Sequence, residues 1–133
     1  MPRGQVVNKH SPFETSKAGF VTFTVGAEGS NTIGVSGVVK DPRGRALTTK
    51  VCLPFYLSAD SDGNTIATAP SSGIAIGTNG LLIEHTNNLA GLIITEDDGT
   101  FDITFSEAGA LTNYLNVILP DGFIARSGAI TFI

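Results

Sequence analysis

Hydrophobic and polar residues alternate over short segments of this chain, and turn-forming residues separate the segments. In FVTFTV, residues 20–25, the two valines and the second phenylalanine share one face, and the threonines share the other. The same two-residue period recurs over residues 51–57 and 101–105, whereas a helical period of 3.6 is sustained nowhere. Because side chains of a strand point alternately to its two faces, this pattern predicts half-buried β-strands.

Three segments of the chain combine two apolar runs with a tight-turn signal between them. They are GVSGVVK-DPRG-RALTTKVCLPFYL, LIITE-DDG-TFDITF and YLNVILP-DG-FIARSGAITFI. Turn residues flanked by alternating apolar residues are typical of β-hairpins, so each segment predicts two neighbouring antiparallel strands. In the first segment, Pro42 and Gly44 occupy the positions that a type I turn favours.

Glycine and proline residues refine the predicted strands. Gly34 and Gly37 interrupt an apolar run, which indicates a bulge or a close backbone approach. Pro54 lies inside the strongest apolar run and cannot donate to a strand ladder, which predicts an edge strand or a bulge. Small residues fill Ile66–Gly80, for which we expect a long loop with one short strand at Ile74–Ile76.

The strand count and spacing predict one all-β domain. About eight or nine strands, spaced roughly ten residues apart, favour an antiparallel sandwich or barrel, and an immunoglobulin-like β-sandwich is the first choice. The chain of 133 residues has no tryptophan and a single cysteine, so the Cys…Trp…Cys signature of antibody domains is absent. We expect the sandwich to span residues 19–133, after an extended N-terminal arm of residues 1–18.

The N-terminal arm has two open interpretations. It contains two prolines, scattered charge and only a weak apolar signal. It is either a loose terminal tail or a segment that becomes ordered on a neighbouring subunit. In the second interpretation the predicted partner-binding residues are Arg3, Val6, Val7, Lys9, Phe13 and Lys17.

Charge is unevenly distributed along the chain, whose formal net charge is -4. The first 50 residues carry seven Lys or Arg and three acidic residues, and the remainder carries one and nine. Nucleic-acid binding needs a broad basic face, so the distribution argues against a nucleic-acid partner. It allows head-to-tail attraction between copies, and we expect a homo-oligomer, with a trimer as one arrangement.

The sequence also argues against secretion and membrane insertion. The first residues lack the apolar run of a signal peptide. No apolar run approaches the roughly 18 residues that a membrane span needs. We therefore expect a soluble protein with no membrane partner.

Catalytic and metal-binding patterns are weak. His10, His85 and Cys52 are too few and too scattered for a zinc site, and no nucleophile-elbow or phosphate-loop motif occurs. Cys52 is expected to be a small packed residue of its strand. We predict no catalytic site, no metal, no cofactor and no enzymatic activity.

Two acidic clusters are the best candidates for binding a cation. Asp60, Asp62 and Asn64 alternate like the first ligands of a calcium loop, but the glycine and the distal glutamate of such a loop are not in place. A solvated turn is the simpler interpretation. The cluster Glu96–Asp98 is interpreted as the charged tip of a hairpin.

Four stretches carry a family resemblance: VKDPRGRAL, FYLSADSDGNT, TEDDGTFDITF and NYLNVILPDGFIARSGAITF. Through them, residues Val35–Phe132 resemble small virion proteins of tailed bacteriophages. The resemblance implies an immunoglobulin-like fold and a structural role as a head decoration or cement protein. It also implies the major capsid protein or other virion proteins as partners, and the virion as location after synthesis in the host cytoplasm.

Two other functions remain open at this point. A tail or neck protein of the same fold would share the resemblance. A carbohydrate-binding module is common among small β-sandwiches, but sugar platforms present exposed aromatic rings. Here only Tyr56 and Tyr114 are polar aromatic residues, and most phenylalanines occupy predicted core positions.

Overall fold

A computed structural model describes residues 17–133 of the chain, so the N-terminal arm lies outside the described residues except for its last two. Within that range the chain forms ten β-strands. The strands are β1 (Phe20–Val25), β2 (Thr32–Lys40), β3 (Cys52–Ser58), β4 (Ile74–Ile76), β5 (Leu81–Thr86), β6 (Ala90–Ile94), β7 (Thr100–Ser106), β8 (Leu111–Ile118), β9 (Ile124–Arg126) and β10 (Ile130–Phe132).

The strands form two antiparallel sheets that pack as a sandwich. The four-stranded sheet has the order β1-β2-β7-β4, and the six-stranded sheet has the order β10-β8-β3-β6-β5. Both β9 and β10 pair with β8, along successive parts of it, so they form two halves of one interrupted edge strand. The predicted all-β antiparallel sandwich is confirmed.

The core lies between the sheets and is built by the predicted alternation. Every second residue of β3, from Leu53 to Leu57, is buried, and the same holds for β7 from Phe101 to Phe105. Their neighbours in sequence face outward. The largest fully buried side chains are Phe101, Phe105, Phe132, Leu53, Leu57, Ile93, Ile103, Leu115 and Ile130.

Two of the three predicted hairpins are wrong. The third segment does form a hairpin, in which Ile118 of β8 lies opposite Ile124 of β9. However, β2 and β3 belong to different sheets, and so do β6 and β7. Both tight turns are formed: the Asp41 N–H donates to the Arg45 carbonyl at 3.0 Å, and the Glu96 N–H donates to the Thr100 carbonyl at 2.9 Å. Beyond each turn the chain crosses from one sheet to the other and makes an arch.

The other two hairpins follow less obvious turn sequences. Between β1 and β2, Ser30 and Asn31 have φ values of 53° and 65°. Two successive positive φ angles define a type I′ turn, whose twist matches that of the flanking strands. Between β5 and β6, Asn88 adopts a φ of 60°. Asparagine tolerates this left-handed conformation better than most residues, so both turns are compatible with their sequences.

The prediction that Pro54 marks an edge or a bulge is wrong, because β3 lies between β6 and β8 in the sheet centre. The Leu57 N–H donates to the Leu89 carbonyl on the β6 side. Strand alternation therefore directs the Pro54 nitrogen to the β8 side. Pairing with β8 begins only at Phe55, so the missing N–H of Pro54 lies beyond the end of that ladder and costs no hydrogen bond.

Gly37 confirms the expected close approach within β2. It lies directly opposite Phe101 of β7, and a Cβ at this position would collide with the phenylalanine ring. Pairing between β2 and β7 continues without a register shift over Thr32–Val38. The predicted short strand at Ile74–Ile76 is also confirmed, as β4.

Candidate interaction surface

The outer face of the six-stranded sheet carries a long row of apolar side chains. Directly paired residues of neighbouring strands point to the same face of a sheet. Ile83 of β5 lies opposite Leu92 of β6, which lies opposite Pro54 of β3. The register of β3 with β8 places Ile118 beside Pro54. Ile118 in turn lies opposite Ile124, so one apolar row crosses five strands.

A second, shorter row lies next to the first. Leu81 is opposite Ile94, and Ile94 is opposite Cys52. Cys52 is therefore on the outer face and half-buried, which corrects the expectation of a packed residue inside its strand. Partial burial raises the pKa of the Cys52 thiol, so most of it is protonated at neutral pH.

These two rows define a surface that we call the apolar face. With a strand spacing of about 4.8 Å, the longer row extends over about 19 Å. The side chains at the β5 edge are the most open, with Leu81 60% and Ile83 50% exposed. Contiguous apolar patches of this kind mark interaction sites in soluble proteins. The apolar face comprises Cys52, Pro54, Leu81, Ile83, Leu92, Ile94, Ile118 and Ile124.

A loop covers one end of the same outer face, the end at which β3 finishes with Ser58; we call it the upper end. The Tyr56 hydroxyl donates to the Gly63 carbonyl at 2.7 Å. Asn116, which is fully buried, donates from Nδ2 to the Ser58 hydroxyl at 2.8 Å. The loop of residues 59–66 thus closes over polar groups at this end, so the uncovered part of the sheet is the apolar part.

Charged side chains border the lower end of the apolar face, which is the end where β3 begins and β6 finishes. Lys50 Nζ lies 3.8 Å from Glu96 Oε1 and 3.7 Å from Asp97 Oδ1. The Thr100 hydroxyl, and to a lesser extent its backbone N–H, donates to Asp98, which holds the pKa of that carboxyl below its ordinary value. The acidic cluster is therefore the tip of the β6–β7 arch rather than of a hairpin.

A groove adjoins the apolar face where the edges of the two sheets meet. Its volume is about 260 Å³, and it lies between the start of β1 and β9. Phe20 and Phe123 are 53% and 73% exposed at this place. Ile124 belongs both to this groove and to the apolar face, so the two surfaces are continuous. The groove is lined by Gly19, Phe20, Val21, Leu119, Phe123, Ile124 and Ala125.

The predicted partner-binding residues fall almost entirely outside the described part of the chain. Lys17 alone is described, is exposed, and borders a surface hollow with Asp41 and Arg45. The hypothesis that these residues bind a partner stays a prediction. Those outside the described residues are Arg3, Val6, Val7, Lys9 and Phe13.

The candidate calcium loop is held together by its own carboxylate. Asp60 Oδ1 accepts hydrogen bonds from the backbone N–H groups of Asn64 and Thr65, at 2.9 and 3.1 Å. His85 is exposed, with Nδ1 at 3.3 Å from the Thr86 hydroxyl. Among residues 17–133, no three His, Cys, Asp or Glu side chains come together in a way that could hold a metal ion.

Two further carboxylates stabilise loops by accepting hydrogen bonds from backbone N–H groups. Glu107 accepts from Ser71 at 2.7 Å and from Gly109 at 2.9 Å, and these bonds lower its pKa. Asp41 accepts from the backbone N–H of Arg45 at 2.8 Å, which is the main cause of its lowered pKa. Glu107 therefore links two segments that are distant in sequence, whereas Asp41 stabilises a single turn.

Sequence reasoning did not predict the apolar face. The available signal was the failure of alternation in LLI of β5 and LII of β6. Consecutive apolar residues are typical of strands covered on both faces. Without the register, nothing aligned these runs with the outward residues of β3 and β8.

No family model matches the chain, and no curated protein shows significant similarity to it. Across residues 17–133, none of the chain is a helix of the length and apolar character that crossing a membrane requires. The fold, the apolar face and the charge distribution are the features that bear on function.

Proposed function

We propose that this protein is a non-enzymatic structural component of a tailed-phage virion, a decoration or cement protein attached to the head. The virion assignment comes from the resemblance of residues Val35–Phe132 to small phage virion proteins. The observation that carries a docking role is the apolar face, a row of side chains across five strands that is most exposed at its β5 end, where Ile83 is 50% accessible. Burying such a face against a partner is favourable because it removes apolar area from water.

The strand order supports the immunoglobulin-like part of this proposal. Immunoglobulin domains place strands A-B-E-D in one sheet and C-F-G in the other. The order β1-β2-β7-β4 follows A-B-E-D, and β3-β8 with the β9/β10 edge follows C-F-G. The β5–β6 hairpin is an addition on the β3 side, and it supplies the most exposed part of the apolar face.

A virion surface would strengthen contacts that are individually weak. A capsid presents many identical sites, and linked contacts bind far more tightly than single ones because the later contacts are effectively intramolecular. The apolar face offers one contact. The predicted arm residues, with Arg3, Lys9 and Lys17 as cations, offer a second contact that salt would weaken.

Antibody labelling of intact phage particles tests the virion assignment, with label on the head as the expected result. Label confined to the tail or neck would favour that alternative, and a protein absent from particles would overturn the proposal. Specific glycan binding by the isolated protein would favour a carbohydrate-binding module instead. The purely apolar lining of the groove offers sugar hydroxyls no side-chain partner.

A reconstitution experiment tests the docking surfaces. Empty heads are incubated with the full chain, with a chain lacking residues 1–18, and with the variant Leu92→Asp. Both changes are expected to reduce head occupancy. Thr104→Asp, at an outward position of the four-stranded sheet, is the matched control and should bind normally. Occupancy that neither change alters would discard both surfaces.

A further inference from the structure

We infer that two copies of this chain pair edge to edge through β5 and form a dimer with two-fold symmetry in solution. The inference concerns the isolated protein and does not rest on the proposed virion function. It follows from the open edge of the six-stranded sheet, from the backbone groups that β5 directs outward, and from the side chains beside them.

β5 is a long and weakly protected edge of the sandwich. It ends the six-stranded sheet and has six residues, whereas the edge strands β4, β9 and β10 have three each. Natural proteins protect open edges with short strands, proline or charged residues. β5 contains no proline, and its outer row begins with Leu81 and Ile83, which are 60% and 50% exposed. The other six-residue edge, β1, exposes two threonines after Phe20. An open, apolar edge such as β5 is a template for pairing with another strand.

The backbone groups of Leu82 and Glu84 point away from the sheet. The carbonyl of Leu89, just before β6, accepts a hydrogen bond from β3, so the odd-numbered residues of β6 bond to β3. The even-numbered residues of β6 direct their groups to β5, where they are paired with Leu81 and Ile83. Because successive residues of a strand alternate, Leu82 and Glu84 direct their N–H and carbonyl groups to the open side.

These outward groups are complementary to the same groups of a second copy. Directly paired residues share a face, so the two-fold axis of an antiparallel self-pair passes through a residue position. With the axis at Ile83, Leu82 lies opposite Glu84 of the second copy, and Glu84 lies opposite its Leu82. Each such pair exchanges two hydrogen bonds. The four outward groups of each copy are thereby all satisfied.

The neighbouring registers are less favourable. With the axis at Glu84, two carboxylates would lie directly opposite each other, which is destabilising. With the axis at Leu82, Glu84 would lie opposite Gly80, whose N–H already donates to Glu96 Oε2 at 2.7 Å. The register centred on Ile83 therefore pairs the most backbone groups without opposing like charges.

The same register covers the exposed apolar side chains at this edge. Ile83 ends the longer apolar row, and in the dimer it contacts the Ile83 of the second copy across the axis. Their backbone groups bond to β6, so they form a non-hydrogen-bonded pair, in which facing side chains are closest. Removing this apolar area from water favours association. Edge pairing leaves the outer face of each sheet open, so the two apolar faces lie side by side and can still dock on another protein.

An identical strand is a suitable partner for β5 because antiparallel pairing across a two-fold axis makes the contact self-complementary. Dimers of this symmetry are the commonest homo-oligomers, and a contact of this type closes at two subunits. Pairing through β5 therefore selects a dimer rather than a trimer among the homo-oligomers that the charge distribution allows.

Analytical ultracentrifugation of the isolated full chain over a dilution series tests the inference. The expected mass at the highest concentrations is twice the chain mass of 13.8 kDa. Ile83→Lys should weaken dimerisation by about tenfold or more, because two positive charges then lie directly opposite each other in place of an apolar contact. Ile124→Lys, at the far end of the same apolar row, is the matched control and should leave dimerisation unchanged.

A pair of cysteine variants tests the register. Both carry Cys52→Ser, so that the introduced thiol is the only one in the chain. Chains with Ile83→Cys should form an intersubunit disulfide on mild oxidation, since the Cα separation of a non-hydrogen-bonded pair lies within the range of disulfides. Leu81→Cys, at a similarly exposed position of the same strand, should not, because the two thiols would lie roughly 13 Å apart along the strands.

A mass of one chain at every concentration would overturn the inference, and so would a trimer. Loss of the dimer in both lysine variants would show that copies stack through their apolar faces, which also contradicts edge pairing. Equal disulfide formation by the two cysteine variants would contradict the register centred on Ile83. If circular dichroism shows that Ile83→Lys does not fold, the pair of cysteine variants decides the question.

Discussion

The outer faces of the two sheets differ sharply, although the inner faces are alike. Across the four-stranded sheet, Thr24 of β1, Ser36 of β2 and Asp102 of β7 form one outward row. Across the six-stranded sheet, the equivalent positions include Leu92 and Ile83. The first surface presents polar groups to water, whereas the second presents exposed apolar side chains such as Ile83.

The difference is visible within single strands. β7 alternates strictly between buried Phe or Ile and polar Thr, Asp or Ser, as expected for a strand with one wet face. β6 places apolar residues on both sides of the strand, with Ile93 buried and Leu92 and Ile94 outward. The six-stranded sheet therefore has the composition of a sheet covered on both sides, which supports a docking role for its outer face.

The largest effect is expected from truncation of the shared core. Phe101→Ala should lower the free energy of unfolding by about 3–5 kcal/mol, because Phe101 is fully buried and packs over Gly37. Leu92→Ala, on the outer face, should cost less than about 1.5 kcal/mol. Chemical denaturation of both variants checks the contrast. Similar costs for the two would mean that the outer face is packed as tightly as the core.

Exchanging polar and apolar residues between the outer faces of the two sheets should move the exposed apolar surface from the six-stranded sheet to the four-stranded sheet. In the full chain, Ile83→Thr with Leu92→Thr should reduce binding of an apolar fluorescent dye several-fold, since the dye binds exposed apolar surface. Thr24→Leu with Thr104→Leu should create dye binding on the other sheet. An unchanged dye signal in the first variant would show that the apolar face is not the main exposed patch.

A smaller effect is expected at the proline of the central strand. Pro54→Val restores an N–H group that points beyond the end of the ladder with β8. The free energy of unfolding should therefore change by less than about 1 kcal/mol, as for an ordinary surface substitution. Stabilisation well above that value, measured by denaturation, would show that Pro54 interrupts a usable ladder bond.

The smallest effect is expected from a loop carboxylate, and it is a change in how stability depends on pH. The pKa of Glu107 is lowered by backbone N–H groups of Ser71 and Gly109. A carboxyl with a lowered folded pKa stabilises the protein above its unfolded pKa of about 4.3, and this contribution is lost as the pH falls through the folded pKa. Glu107→Gln should lower stability slightly at pH 7 and flatten its decline below about pH 4.3. A decline as steep as in the unaltered protein would assign the acid sensitivity to other groups.

Much of the strand layout could be predicted from the sequence, since the alternation in β1, β3 and β7 is local. The error at Pro54 arose because the end of a ladder depends on where the partner strand stops. The binding site was predicted only in the N-terminal arm, whose residues before Lys17 lie outside the described part. The apolar face escaped prediction because its residues come from five strands and are brought together only by their register.

By itself, the sequence determined the alternation of the strands, the positions of the tight turns and the all-β class. These properties depend on residues that are neighbours in the sequence, so backbone sterics and side-chain polarity determine them locally. Only the tertiary structure decided that DPRG and DDG lead into arches whereas the Asp121–Gly122 turn closes a hairpin. The hydrogen bonds inside a tight turn are similar in both cases. The sheet that each following strand joins is decided by which pairing buries all inward faces at once.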